Sequence, residues 1–444
     1  MNAARIIVRN LRRRPLATAL TSLSVALGVA LFTTIGALRE AGERGFLRAA
    51  AICDQVVGAK GAPLQLVLNS VYHLGTSPGN VPYDLWTELR TKPGVQWAIP
   101  VAVGDSYRGA RIVGVTGDFF EVVRLGGSGE EGAPLRFAAG AAFVHTADEF
   151  AELREHLLEA HEHEEEGGAH DEHAEHPELQ RAVIGAEVAR TANLRLGSRF
   201  RPAHDVSGVA GAPEHEEAEA EVVGVLAPTG TPIDRAIYVP IALYYAIEGH
   251  APSAATPEGG ARDPRGLSAI YLRTRPGMYQ IRIWRELNDR LDAQSARPAD
   301  EVRSLFTLVG GLDRILRGIS TLVVVVALVG VMVALYNTMG ARRREFAVLR
   351  ALGASRRTLL GLVTGESALI ALLGGLLGLV LSALTISFGA ELLQGRTGVS
   401  ISAAPAAGDL LLLAAVTVAG ALAGLVPAAS AYRTEAARTL SSSV

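Results

Sequence analysis

Residues 342–367 read RRREFAVLRALGASRRTLLGLVTGES. Six arginines fall between two apolar stretches. Ile319–Ala341, before them, carries no charge, and Leu359–Phe388, after them, carries one, Glu366. At about 1.5 Å per residue, either stretch can cross a hydrocarbon core of about 30 Å. A short cationic segment between two such spans makes this a multi-pass membrane protein. Inside the segment, Arg342–Leu352 reads as a short amphipathic helix. Phe346, Leu349 and Leu352 share one edge, and Arg343, Arg344 and Arg350 ring the rest. Gly353 suits the position just past a helix end, and Ser355 can cap the next helix.

Two more apolar spans lie on either side of this pair. Leu16–Leu38 is uncharged over 23 residues, and Leu410–Ala431 is also uncharged. The spans expected are therefore 16–38, 319–341, 359–388 and 410–431. Arginines crowd the amphipathic segment 1–15, the 342–357 loop and the 432–444 tail, while the 389–409 loop holds only Arg396. The positive-inside rule puts both termini and the 342–357 loop in the cytoplasm, and 39–311 and 389–409 outside an inner membrane. A cleaved signal peptide is the alternative for the first span. Its apolar core is long for one, and no small-x-small site follows closely.

Bulk composition agrees. The 444 residues are 49% hydrophobic and 20% charged, with a mean hydropathy of +0.25. Such a mixture suits spans joined to a large polar domain. A net charge of −3 argues against nucleic acid as a partner. The single cysteine, Cys53, excludes an intrachain disulfide.

Residues 39–311 alternate strand-like and helix-like stretches. VQWAIPVAVGD, ARIVGVTGD, RAVIGAEVA, AEVVGVLAP, RAIYVPIALYYAI and SAIYLRTR read as strands or strand-to-helix units. TADEFAELREHLLEAH and MYQIRIWRELNDRLDAQ have helical spacing. A mixed α/β extracytoplasmic domain in two lobes is expected, its last helix running straight into the second span.

Within the spans, Glu366 is a lone carboxylate, costly in lipid and functional by default. Its shallow position favours a pair with Arg356 or Arg357. Gly374 and Gly378, like Gly420 and Gly424, form GxxxG pairs that let helices approach closely and suit subunit packing.

The 148–178 insertion is rich in His and Glu. His156, His161 and His163 precede a Gly pair, and His170, His173 and His176 follow at i, i+3, i+6. His215 sits in a second acidic cluster. These side chains can ligate Zn²⁺. A plain solvated insertion and a pH-sensing segment are the competing readings. No GxxxxGK[ST] occurs, so the chain has no P-loop for ATP.

The 342–378 pattern resembles the MacB/FtsX-type permeases of ATP-binding-cassette systems. The residues that carry the resemblance are Arg342, Glu345, Phe346, Leu349, Arg350, Ala351, Gly353, Ala354 and Ser355, then Glu366, Gly374, Gly375 and Gly378. Pro427-Ala428-Ala429 and Arg433 extend it, although the proline usual in the family's tail is missing. ARIVGVTGDFFEVV, AVIGAEVARTANLRLGSRF and VVGVLAPTGTPIDRAIYVPI resemble the family's MacB-like extracytoplasmic domain. The resemblance implies a non-enzymatic four-span permease in lipid, paired as a homodimer or with a second permease. A separate ATPase subunit would bind ATP and dock on Arg342, Arg343, Arg344, Glu345, Phe346, Leu349, Arg350 and Gly353. It leaves several roles open: metal or metal-complex handling, force transmission to a periplasmic cell-wall hydrolase or lipoprotein carrier, and efflux of hydrophobic compounds. A membrane-anchored metal sensor or buffer is the reading from another class.

Overall fold

The computed structural model describes residues 3–126, 132–146, 149, 180–203, 219–246, 266–351, 353–397 and 407–432. Two compact units emerge. One gathers Met1–Ala41, Leu308–Leu392 and Ile401–Val444, and the other Gly42–Thr307 and Leu393–Ser400. In chain order, the helices of eight residues or more are α1 (Ala3–Arg12), α2 (Pro15–Ala50), α3 (Pro63–Ser70), α4 (Tyr83–Thr91), α5 (Met278–Asp289), α6 (Pro298–Ala351), α7 (Arg356–Thr397), α8 (Ala407–Ala423) and α9 (Leu425–Tyr432).

Four helices, lying wholly or mostly in the first unit, are long and apolar enough to cross a membrane: Pro15–Ala50, Pro298–Asn337, Arg356–Gly389 and Ala407–Ala429. Pro15 opens α2 at its first position, where a missing N–H costs nothing. The expected spans 16–38 and 359–388 lie within these helices, while 319–341 and 410–431 run past the ends at Asn337 and Ala429; α2 and α6 in turn run far beyond the expected spans, to 36 and 54 residues. Large apolar side chains such as Leu20, Leu322, Val326 and Leu411 are exposed on this unit, as lipid-facing residues must be.

The second unit is built on one mixed sheet. Its strands are β1 (Gln55–Gly58), β2 (Val95–Tyr107), β3 (Ala110–Val115), β4 (Phe137–Gly140), β5 (Arg181–Ile184), β6 (Arg199–Phe200), β7 (Ala220–Leu226), β8 (Ala236–Pro240), β9 (Ala269–Thr274) and β10 (Gln294–Ala296). They lie in the order β10-β1-β9-β2-β3-β8-β5-β7-β4, with β6 on β7. The two lobes expected from sequence are instead two half-sheets spliced by β2. Its first half, Val95 to Val101, pairs with β9, and its second half, Ala102 to Tyr107, pairs with β3. One 13-residue strand is long enough to serve both.

Both faces of this sheet are covered, so its central strands read as unbroken apolar runs. Ile270 and Leu272 of β9 enter one core with Trp86, Ile112 and Ile237, while Ala269 and Tyr271 enter the other with Val56, Val113 and Tyr238. In β7 a register shift between Val222 and Gly224 swaps the faces. Val222 therefore joins the first core and Leu226 the second. The Trp86 indole N–H of α4 donates to the Ala98 carbonyl of β2 at 3.0 Å, fastening helix to sheet. Thr146 and Glu149 exchange capping hydrogen bonds at 2.8 and 3.2 Å. Most of the helix expected over 146–161 lies outside the described residues.

Candidate coupling site at the 346–366 joint

The segment expected to form a separate short helix is the unbroken end of α6. Its arginine-rich first turn continues the span's hydrogen-bond ladder, which runs unbroken to Ala351. Gly353 adopts φ +95°. Its N–H donates to the Arg350 carbonyl, and the Ala354 N–H reaches back to the Leu349 carbonyl, both at 3.0 Å. This paired closure needs a left-handed residue, which glycine supplies without a Cβ penalty. Ser355 then caps α7: its Oγ accepts the Thr358 N–H at 3.2 Å.

Phe346 is only 7% exposed and packs on Leu359, Val363 and Ala428, with Leu349 at the edge of the same cluster. The apolar edge read as a partner's docking surface is thus turned onto the chain's own α7 and α9. An amphipathic edge meets the nearest apolar surface, and here that surface is intramolecular. The exposed side is Val348, Gly353, Ser355, Arg356 and Arg357. Arg350 is half-buried. The side chains of Arg342, Arg343, Arg344 and Glu345, all of Leu352, and Arg433 lie outside the described residues.

Glu366 is buried, with 3% exposure. It lines a cavity of about 30 Å³ together with Asn10, Arg14, Thr18 and Leu335. That space holds about one water. Arg356 and Arg357, the expected partners, are exposed and lie ten and nine residues earlier on α7. The guanidinium lining the Glu366 cavity is Arg14, at the corner between α1 and α2. Glu366 thus shares a cavity with that corner.

The glycine pairs act within the chain. A Cβ on Gly374 would lie 2.7 Å from the Ser22 carbonyl oxygen and 2.8 Å from Val25 Cβ. One on Gly378 would lie equally close to Ala26 O and Val29 Cβ. Both seat α7 on α2 at backbone contact, and the Ser22 hydroxyl donates to the Ile370 carbonyl beside them. Gly420 abuts Ala371, and Gly424 abuts Ser367, bringing the last span onto α7. The subunit packing read from these GxxxG pairs is corrected to packing between spans of one chain. Sequence reading missed the clamp at Asp313. This carboxylate of α6 takes Arg39 of α2 at 2.6 Å and Arg317 at 3.1 Å.

His156, His161, His163, His170, His173, His176 and His215 lie outside the described residues. Among the described residues, no group of three or more His, Cys, Asp or Glu is arranged to hold a metal. Cys53 is buried, and burial pushes its thiol far above the usual range. It is correspondingly inert.

Residues 18–281 match the MacB-like periplasmic core domain, and residues 317–436 match the FtsX-like permease C-terminal domain. Over 188 residues the chain is 26% identical to the pyoverdine export ATP-binding/permease protein PvdT of Pseudomonas syringae pv. tomato. That match covers 41% of this chain and spans only 28% of PvdT. The extracellular domain of the noncanonic ABC-type transporter YknZ from Gram-positive bacteria is similar at 15% identity, over 55% of this chain and 98% of that one, with a TM-score of 0.28. The periplasmic region of MacB from Actinobacillus actinomycetemcomitans is similar at 14% identity, over 59% and 95%, with a TM-score of 0.31.

Proposed function

The chain belongs to the FtsX-like permeases with a MacB-like periplasmic core domain, and on that premise we propose that it couples ATP hydrolysis in a separate subunit to movement of its periplasmic domain. The observation that carries this reading is the exposed turn between α6 and α7. It is closed by Gly353, capped by Ser355 and backed by the buried Phe346, so it is a rigid knob. A groove on an ATPase subunit would take Val348 and the Arg356–Arg357 pair. Two such chains, identical or different, would flank the ATPases, with both termini and this turn in the cytoplasm of a cell with an inner membrane.

The ATPase supplies the phosphate chemistry; this chain supplies the lever. Alternating movement of the spans would drive α2 and α6, which run unbroken from the membrane unit into the sequence of the sheet unit. Work done on the outer side, on a partner protein or an extracytoplasmic substrate, follows from a lever better than from a channel.

The test is the ATPase activity of the reconstituted complex. Val348→Asp with Arg357→Glu is expected to lower permease-stimulated ATPase at least tenfold while the thermal midpoint stays unchanged, because both positions are exposed. Full stimulation in that variant would remove the docking assignment. Phe346→Asp, by contrast, is expected to lower stimulation and stability together.

Metal handling is a second reading, favoured by the six histidines of 156–176. Deleting 156–176 is expected to abolish Zn²⁺ binding by calorimetry and to impair metal-limited growth. Unchanged Zn²⁺ binding and growth would leave the segment a plain solvated insertion.

A further inference from the structure

A cleft of about 910 Å³ opens in the sheet unit, where the ends of α2 and the start of α6 meet the β2–β9 region. Among the described residues it is lined by six arginines and two aspartates, a formal excess of four positive charges. The two carboxylates are already engaged. Asp54 takes the Arg273 guanidinium at 2.7 Å and the Thr274 N–H at 2.9 Å. Asp300 takes Arg297 at 2.9 Å and Arg303 at 3.3 Å. Arg48 and Arg124 have no carboxylate among the described residues. Arg124 donates only to backbone carbonyls, and Arg48 is exposed at the rim.

The lining is not uniformly polar. Leu47, Ala50, Val122 and Ala299 form an apolar wall beside the guanidinium groups. Trp97 adds an aromatic face, already stacked under Arg273 at 5.5 Å. The volume falls within the range of small-ligand sites, about 300–1,000 Å³. Guanidinium groups recognise phosphate oxygens bidentately, with geometry an ammonium cannot match. Arg44 and Arg48 also lie only six and ten residues past Leu38, the end of the first apolar span.

We propose that this cleft binds the phosphate group of an anionic amphiphile, with Arg48 and Arg124 as the recognition residues and the Leu47–Val122 wall holding its apolar part. Asp54 and Asp300 hold Arg273, Arg297 and Arg303 rather than competing for the ligand. The site is separate from the ATPase-docking turn, so its failure leaves that reading untouched.

The test uses the full chain in nanodiscs of phosphatidylcholine at low salt, titrated by calorimetry with dihexanoyl phosphatidic acid. Saturable binding is expected, weakened at least tenfold in Arg48→Glu/Arg124→Glu. Arg195→Glu, on an exposed arginine outside the cleft, is expected to bind as wild type does. Arg48→Gln/Arg124→Gln serves if the charge reversal lowers the thermal midpoint, and is expected to weaken binding as well. Competition by inorganic phosphate would identify phosphate alone as the recognised group. Binding without such competition would identify the lipid as the source. Equal binding of dihexanoyl phosphatidylcholine, no saturable binding of either anion, or unchanged affinity in the neutral double variant would overturn the proposal.

Discussion

His73 holds a left-handed backbone, φ 56°, and its buried Nδ1 has no hydrogen-bond partner. Burial, reinforced by the Arg111 and Arg235 guanidinium groups, pushes its imidazole down to about 3. In the unfolded chain the same group titrates near 6.5. Above that pH both states are neutral and nothing is lost. Between the two values only the unfolded chain takes up the proton, so stability falls as the solution is acidified. The tryptophan-detected unfolding midpoint is expected to drop progressively from pH 6.5 toward 3. His73→Asn is expected to flatten that drop, since Asn tolerates the left-handed conformation and does not titrate. An equally steep decline in the variant would remove His73 as the cause. Residue-level legibility was uneven for physical reasons. Gly353 and Ser355 were readable because helix ends demand particular backbone chemistry. The true surroundings of Phe346 and Glu366 were not, because an apolar edge or a lone carboxylate looks the same whichever surface it meets.

At the scale of elements, the four spans were legible because apolar length is what crossing a membrane requires. How they pack was only half legible. GxxxG marks a close approach without naming the partner, and α2 proved to be the partner of Gly374 and Gly378. Replacing Gly378 with Leu puts a Cβ within 2.8 Å of both backbone and a β-branched side chain, neither of which can swing aside. The expected cost is about 1–3 kcal/mol, seen as a lower thermal midpoint in detergent. Gly361→Leu on the same helix, where a Cβ would meet nothing within 4 Å, is the control and is expected to melt as wild type does. Equal midpoints for the two variants would deny the close α7–α2 contact. In the sheet unit, strands buried on both faces were found from their apolar runs. β1 and β10 escaped notice because they are three or four residues long and include Gln55, Gln294 and Ser295.

For the whole molecule, the question is how ATP-driven movement would reach residues 42–307. α2 and α6 both cross from one unit's residues into the other's without a helical break, α6 over 54 residues. Asp313, its side chain 7% exposed, ties the two helices together through Arg39. A helix resists bending because each turn is hydrogen-bonded to the next, and glycine is the residue that weakens this most. Three glycines inserted after Ala41 and three after Thr307 interrupt both helices while leaving the Asp313 clamp and the 346–358 turn in place. With the ATPase partner present, hydrogen exchange in 42–307 is expected to change on ATP addition in the wild-type chain and to stop changing in the double insertion, with ATP turnover retained. A single insertion is expected to give an intermediate response, since the other helix still transmits. An ATP-dependent exchange change that survives both insertions would mean that rigid helices are not the route, and the lever mechanism would fall even if docking at Val348 held.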